Sequence, residues 1–270
     1  MAKEVKKEMS FMDHLEEFRW VLVRSSFAIV IMAVAAFFFD DFIFDTILFG
    51  PKDPNFVTYR FFCELSHKIG VESFCVEELP FKLQNTEMEG QMSLYIWTLI
   101  LVGFILAFPY ILYQFWNFIK PALYEKERKN AKSFIFISSL LFFTGVLFGY
   151  FVIAPMSVNF FATFSVSEVI VNEININSYI GLIKTSSIAS GLFFELPIII
   201  YFLTKLGLVT PKFLREYRRY AIVIVLVLAA IVTPPDVVSQ TIVAIPLLIL
   251  YEISIVISSV VYKKQQQLNE

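Results

Sequence analysis

Six blocks of almost uninterrupted apolar residues constrain this chain more than any other feature, because each approaches the length of a helix that crosses a bilayer. Only a helix satisfies its own backbone hydrogen bonds in hydrocarbon, so each block predicts a transmembrane helix. We expect the fifth and shortest block to thin the bilayer or to be sheltered by its neighbours. The predicted fold is an all-α integral membrane protein, a single membrane domain over residues 1–270. Its predicted spans are residues 20–39, 94–115, 134–154, 180–203, 220–233 and 241–261.

The composition agrees with a chain whose main partner is the lipid bilayer. Hydrophobic residues make up 57% of the sequence and charged residues 17%, which is typical of a multi-span membrane protein. The net charge of -2 leaves no basic stripe that could follow a phosphate backbone. We therefore expect no nucleic-acid partner.

The distribution of Lys and Arg predicts the orientation of the chain. Basic residues concentrate at both ends of the chain and in the segments 120–132 and 205–219, whereas the other side holds only Lys52, Arg60, Lys68 and Lys82. Both termini are thus predicted to be cytoplasmic, and the loops 40–91, 156–179 and 234–240 periplasmic. The first block ends in two aspartates without a small-residue cleavage signal, so we expect a retained anchor and not a signal peptide.

Four prolines fall inside or at the end of predicted spans: Pro109, Pro155, Pro197 and Pro246. Proline bends or ends a helix, and bent helices build concave walls. The expected architecture is a concave bundle with bent and short helices, and with Pro155 ending the third span. Membrane helices also tolerate proline without such a role, and the sequence leaves both interpretations open.

The residues that usually carry catalysis are missing from the spans, which contain no aspartate and no histidine. His14 and His67 fall on opposite predicted sides of the membrane, so they are not expected to bind one metal together. We expect a protein without enzymatic activity, metal or other cofactor. Cys63 and Cys75 both fall in the first periplasmic loop, where oxidation is favoured, and this predicts a disulfide. Two free buried cysteines are the alternative.

Ionisable residues at membrane depth are costly and therefore indicate function by default. Glu195 and Glu252 lie well inside the fourth and sixth predicted spans. We expect both to face one water-accessible cavity, with at least one of them protonated because desolvation and mutual repulsion favour the neutral acid. A carboxyl group that only bonds neighbouring helices is the alternative. Lys184 lies near the periplasmic edge, where its side chain can snorkel.

Two cytoplasmic segments place carboxylates among basic residues at the membrane surface. The first is residues 12–19, which lead directly into the first span, and the second is residues 121–129. By themselves such charges are most often solvated helix ends. Four short motifs in and beyond these segments are more specific. They are HLEEFR at residues 14–19, YQFWNFIKPALY at residues 113–124 followed by Glu127 and Arg128, FELP at residues 194–197, and TPPDVVSQ at residues 233–240.

In this order and on these predicted sides, the four motifs resemble the TatC family along nearly the whole chain. TatC is the signal-peptide receptor subunit of the twin-arginine translocase in the bacterial cytoplasmic (inner) membrane. The resemblance implies binding of the twin-arginine signal peptides of folded cargo proteins, and assembly with the single-span subunits TatB and TatA and with other TatC copies. It also implies transport driven by the proton-motive force, without hydrolysis.

The family's receptor positions fall on particular residues of this sequence. The resemblance implies that Glu17 and Glu127 hold the signal arginines, that Phe118 shapes the groove and that Arg128 orients the carboxylate. Arg19 is the arginine of the first motif and belongs to the same implied site. The family usually has another basic residue at the position of Val21. Arg24, one helical turn later, is a candidate substitute.

A second implied site lies within and beyond the spans. It comprises Glu195, Glu252, Gln240, Asp236 and Thr233, as a polar site for partner helices or for transport. Glu195 and Glu252 also suit the main alternative, a proton-coupled transporter of small solutes, which predicts uptake by this protein alone. A third possibility is an intramembrane enzyme, which the missing catalytic groups disfavour.

Overall fold

The computed structural model describes residues 11–69, 75, 78–120, 131–167 and 172–269. Its α-helices are α1 (Phe11–Phe37), α2 (Val57–Ile69), α3 (Gly90–Ile119), α4 (Ala131–Phe148), α5 (Ala154–Thr163), α6 (Ile176–Phe194), α7 (Leu196–Lys205), α8 (Pro211–Glu216), α9 (Arg218–Val232) and α10 (Val237–Asn269). Two π-helical turns span Phe42–Leu48 and Gly149–Ile153, and a 3₁₀ turn spans Gly50–Lys52. Strands β1 (Lys82–Gln84) and β2 (Glu173–Asn175) form a parallel pair.

The predicted membrane fold is confirmed. Within the described ranges, five helical stretches are long and apolar enough to cross a bilayer: His14–Phe37, Gly90–Ile119, Lys132–Thr163, Ile176–Lys205 and Val237–Gln267. The weak fifth span corresponds to α9, which has only 15 residues. One face of α9 is sheltered by its neighbours, because Val225 and Ala229 pack in a buried cluster with residues of α6 and α10.

The prediction that Pro155 ends the third span is wrong. Helix α4 continues through the π-helical turn Gly149–Ile153 into α5, and Pro155 lies in the first turn of α5. Proline is tolerated at that position because its missing N–H needs no partner there. Pro197 lies in the first turn of α7, directly after the break between α6 and α7 at Glu195. Pro109 and Pro246 lie inside α3 and α10, which the structure does not interrupt.

The first predicted loop, residues 40–91, contains regular structure that the sequence did not predict. Strands of three residues are too short to show an alternating pattern, and the π-helical turn has no sequence signature. Three tyrosine hydroxyl groups donate hydrogen bonds to backbone carbonyls of this loop: Tyr150 to Ile47 (2.7 Å), Tyr179 to Leu48 (3.1 Å) and Tyr59 to Pro51 (2.9 Å). Tyr59 is buried, and burial raises its pKa because the phenolate would be poorly solvated. These bonds satisfy carbonyls that would otherwise be buried without a partner.

The chain divides into two compact units, residues 1–40 with 96–139 and residues 41–95 with 140–270. In the first unit α1 crosses α3 so closely that a Cβ atom on Gly103 would lie 2.6 Å from the carbonyl oxygen of Ile29. The second unit contains two buried apolar clusters. One comprises Ile153, Phe194, Val225, Ala229, Val243, Ala244 and Leu247, and the other Ile200, Leu214, Tyr251 and Ile255.

Candidate functional site

The first unit contains a polar cavity between the start of α1 and the end of α3. Its volume is about 310 Å³. The α1 wall consists of residues that recur at helical spacing on one face, and the α3 wall of residues three and four apart, so both walls follow from the 3.6-residue period. The lining residues are Glu16, Glu17, Trp20, Val21 and Arg24 on α1, and Gln114, Asn117 and Phe118 on α3.

Glu17 provides the carboxylate of this cavity that is least accessible to solvent. Its side chain is half-buried, and its Oε2 atom is buried without a hydrogen-bond partner among the described residues. A buried carboxylate oxygen without a donor is costly, so such an atom favours a ligand that donates hydrogen bonds. Glu16 lines the same cavity and adds a second, exposed carboxylate.

Val21 and Arg24 both line the α1 wall of the cavity. Val21 is only 3% exposed, and a basic side chain there would bury its charge. Arg24 is exposed and lines the cavity one turn further along α1. The cavity therefore has a basic group at Arg24 and an apolar one at Val21.

Aromatic rings form one edge of the cavity. Phe118 stacks on His14 with ring centroids 4.3 Å apart, and it contacts Phe18 in a tilted arrangement at 5.4 Å. On the α3 wall Gln114 is buried, with 5% of its surface exposed. Such a wall offers amide groups beside a flat apolar surface, which suits a guanidinium group better than a compact ammonium.

The structure brings only some of the predicted receptor residues together. Glu17 and Phe118 line the same cavity. Arg19 is exposed and is not among the lining residues, because two helical positions turn its side chain onto another face of α1. Glu127 and Arg128 lie outside the described residues. Sequence reasoning missed Trp20, Gln114 and Asn117, although the last two lie inside the second motif and Gln114 is one helical turn from both Asn117 and Phe118.

The residues Thr233, Asp236 and Gln240 hold the hairpin between α9 and α10 together. The Thr233 hydroxyl donates to the Ala229 carbonyl (2.9 Å), and the Gln240 side-chain amide donates to the Leu226 carbonyl (3.1 Å). The Asp236 carboxylate accepts a hydrogen bond from the Ser239 N–H (2.8 Å), and that bond holds its pKa below the ordinary value. Asp236 thus caps the N-terminus of α10.

Glu195 and Glu252 occupy different surroundings. Glu195 is 7% exposed, at the break between α6 and α7. Glu252 is half-exposed and pairs with Arg218 of α9, with its Oε2 atom 2.6 Å from a guanidinium nitrogen. This ion pair was not predicted, because the two residues are 34 positions apart. The shared, water-accessible cavity stays a prediction.

A second polar cavity, of about 220 Å³, lies in the second unit beside the hairpin. Three parts of the chain line it: α2 with Thr58, Tyr59 and Phe62, α5 with Met156, Asn159, Phe160 and Thr163, and the start of α10 with Asp236, Val238 and Ser239. On the same helix α2, Cys63 is joined to Cys75 by a disulfide, with Cα atoms 4.4 Å apart.

Comparison with known proteins shows the family of the chain. The family described as Sec-independent protein translocase protein (TatC) matches residues 13–246. The chain belongs to the TatC family. TatC of Blattabacterium sp. subsp. Periplaneta americana (strain BPLAN) is 44% identical over 97% of this chain and 100% of its own length. TatC of Aquifex aeolicus (strain VF5) is 34% identical, also over 97% of this chain and 100% of its own length.

Solved structures of the family have the same fold. The crystal structure of the twin arginine translocase receptor TatC superposes with a TM-score of 0.68 at 34% identity, covering 92% of this chain and 99% of that one. The structure of this receptor in the detergent DDM gives a TM-score of 0.70 at 35% identity, covering 91% and 99%. This TatC-family chain is therefore a multi-pass membrane component of the Sec-independent protein translocase.

Proposed function

We propose that this chain is the receptor of its translocase and binds twin-arginine signal peptides in the cavity around Glu17. The observation that carries the proposal is the buried Oε2 atom of Glu17, which lacks a donor among the described residues. A guanidinium group supplies several N–H donors in a planar fork that matches a carboxylate. One signal arginine binds Glu17, and Glu127, in the segment after α3, binds the other.

The rest of the cavity supports this ligand. Glu16 adds negative charge, and Trp20 and Phe118 offer ring faces on which a guanidinium group stacks. The side-chain carbonyl groups of Gln114 and Asn117 accept further N–H donors. Arg24 lines the same cavity and would repel further cations once the site is occupied. The solved relatives that share this fold are described as twin arginine translocase receptors.

The remaining features of the proposal concern the membrane and the complex. The chain lies in the bacterial inner membrane, and the distribution of Lys and Arg supports an orientation with both termini cytoplasmic. The cavity would then face the side where folded cargo is made. TatB, TatA and further TatC copies assemble around this receptor, and the proton-motive force drives transport without hydrolysis by this chain.

The test compares two peptides on the purified full chain in detergent. One labelled peptide contains the twin arginines, and the control peptide replaces both with lysine. Lysine keeps the charge but loses the planar fork, so we expect its affinity to be at least about tenfold lower, a difference of roughly 1.4 kcal/mol. Equal affinity for both peptides would contradict the proposal. Solute uptake by vesicles that contain this chain alone would instead support the transporter alternative.

A further inference from the structure

A cluster of metal-binding side chains lies on α2, far in sequence from the residues of the proposed receptor site. Cys63 and His67 are one helical turn apart on α2, and Cys75 is joined to Cys63 by a disulfide. The Sγ atom of Cys63 lies 3.9 Å from the Nδ1 atom of His67. The ligand atoms of all three residues lie within 4.8 Å of one another. His67 is exposed and Cys63 and Cys75 are half-buried, so solvent reaches the cluster.

The separation between Cys63 and His67 is close to that in a tetrahedral zinc site. Zinc binds thiolate sulphur at about 2.3 Å and imidazole nitrogen at about 2.0 to 2.1 Å. In a tetrahedron, such ligands place sulphur and nitrogen about 3.6 Å apart, and two sulphurs about 3.8 Å apart. The separation of Cys63 from His67 therefore already fits. The two sulphurs must move apart, which rotation of the cysteine side chains provides once the disulfide is broken.

We propose that Cys63, His67 and Cys75 bind a thiophilic divalent cation such as Zn²⁺ when the disulfide is reduced. A dithiol reductant delivers two electrons and two protons to the Cys63–Cys75 bond and becomes a disulfide itself. The two thiols then lose their protons as the metal binds, since thiolate is the ligand form. Neutral His67 supplies the third ligand, and water completes the coordination.

The consequence is that α2 stays connected to the segment around Cys75 in both redox states. An oxidised chain uses the disulfide and a reduced chain uses the metal. Either connection constrains the unfolded chain and so stabilises the folded loop. The inference is independent of signal-peptide binding, because no residue of the cavity around Glu17 takes part.

Cobalt is the probe, because thiolate binding to Co²⁺ produces a charge-transfer band in the near ultraviolet. The full chain in detergent is divided into an oxidised sample and one treated with a dithiol, which is then removed under argon. We expect the reduced sample to bind one Co²⁺ with this band, and Zn²⁺ to displace it. The oxidised sample should show no band. Absence of the band from the reduced wild-type chain would overturn the proposal without any substitution.

Two variants test the role of His67. His67→Gln removes the nitrogen ligand. Loss of a residue that only hydrogen-bonds to a metal ligand lowers metal affinity roughly 10- to 100-fold, so we expect Co²⁺ affinity to fall by at least that much. Glu64→Gln changes an exposed residue of the same helix and should bind Co²⁺ like the wild type. Thermal unfolding of both oxidised variants checks that they fold. Unchanged affinity of His67→Gln would exclude this histidine as a ligand and overturn the three-residue site.

Discussion

Glu17 lines the cavity of the first unit, and one oxygen of its carboxylate is buried away from solvent and from any donor among the described residues. Leaving a charged acceptor in this state costs free energy, because water has been removed and no protein group replaces it. A ligand that donates hydrogen bonds would complete the bonding of this oxygen.

Glu17→Gln should therefore weaken the binding of a twin-arginine peptide. A charge-assisted hydrogen bond contributes about 1.5 to 3 kcal/mol, so we expect the Kd to rise by roughly 10-fold or more. Fluorescence anisotropy on the purified chain measures this directly. Arg19→Gln is the matched control on the same helix, because Arg19 is exposed and does not line the cavity. A larger rise in Kd for Arg19→Gln than for Glu17→Gln would show that the peptide binds another face of α1.

Asp236 is a residue whose place in the hairpin indicates a structural role. Its carboxylate accepts the N–H of Ser239 and so caps α10. We expect Asp236→Ala to lower the free energy of unfolding by about 1 kcal/mol, the usual cost of losing a cap. Asp236→Asn should cost much less, because asparagine caps equally well. Thermal unfolding in detergent separates the two variants.

The same bond predicts a pH dependence. The pKa of Asp236 is lower in the folded chain than its ordinary value of 3.8, because the ionised carboxylate accepts the Ser239 N–H. The carboxylate therefore contributes stability above that ordinary value, and the contribution is lost as pH falls through the lower folded pKa. Between pH 5 and pH 3, as a rough window, the wild type should lose more stability than Asp236→Asn. If the wild type and Asp236→Asn lose the same stability over this pH range, Asp236 is not the cause of the loss.

At the scale of elements, close helix crossings depend on small residues. The π-helical turn that begins at Gly149 touches α6 so closely that a Cβ atom there would lie 2.7 Å from the Cα atom of Ser187. Gly145 makes a similar approach to Ser190 and Gly191. Membrane helices associate through such contacts because lipid provides no hydrophobic force between them. The crossing holds α4, the π-helical turn and α6 in one unit.

Gly149→Ala should push these backbones apart. Overpacking of this kind costs about 1 to 3 kcal/mol, so we expect a clear fall in the thermal unfolding temperature. Gly181→Ala is the control on α6, since no atom lies within 4 Å of its added Cβ. Replacing an unencumbered helical glycine by alanine should be neutral or stabilising by up to about 1 kcal/mol. Equal effects of the two substitutions would mean that this crossing is not tightly packed.

At the scale of the whole molecule, the orientation in the membrane decides which side each site faces. Basic residues predict cytoplasmic termini, and the disulfide between Cys63 and Cys75 fits a loop exposed to an oxidising compartment. With cytoplasmic termini, as the basic residues predict, the cavity around Glu17 would face the cytoplasm.

Single cysteines test this orientation in a chain whose own two cysteines are replaced by serine. Met88→Cys replaces a fully exposed loop residue, and Gln266→Cys replaces an exposed residue near the end of α10. We expect a membrane-impermeant maleimide to label Met88→Cys in intact spheroplasts and to label Gln266→Cys only after lysis. The reverse pattern would invert the topology and move the proposed receptor site to the periplasm.

The receptor cavity shows how far motif and period carry a prediction. Glu17 and Phe118 were predicted from motifs, and Gln114 and Asn117 were within reach of the helical period. The sequence did not predict that the two walls face each other. That arrangement depends on how α1 and α3 are rotated about their axes and on their crossing, where Gly103 of α3 closely approaches α1. The pair of Arg218 with Glu252 was missed for the same reason.

Sequence alone predicted the membrane fold and the family, because apolar length and short motifs are local properties of the chain. The side of each loop stays a prediction from the basic residues. Tertiary structure decided which distant groups meet. It brought the Tyr150 and Tyr179 hydroxyls to carbonyls more than a hundred residues away in the first loop, and it placed His67 beside a disulfide. Such contacts depend on the rotation and crossing of helices, which arise only when every buried polar group and every packed surface is satisfied together.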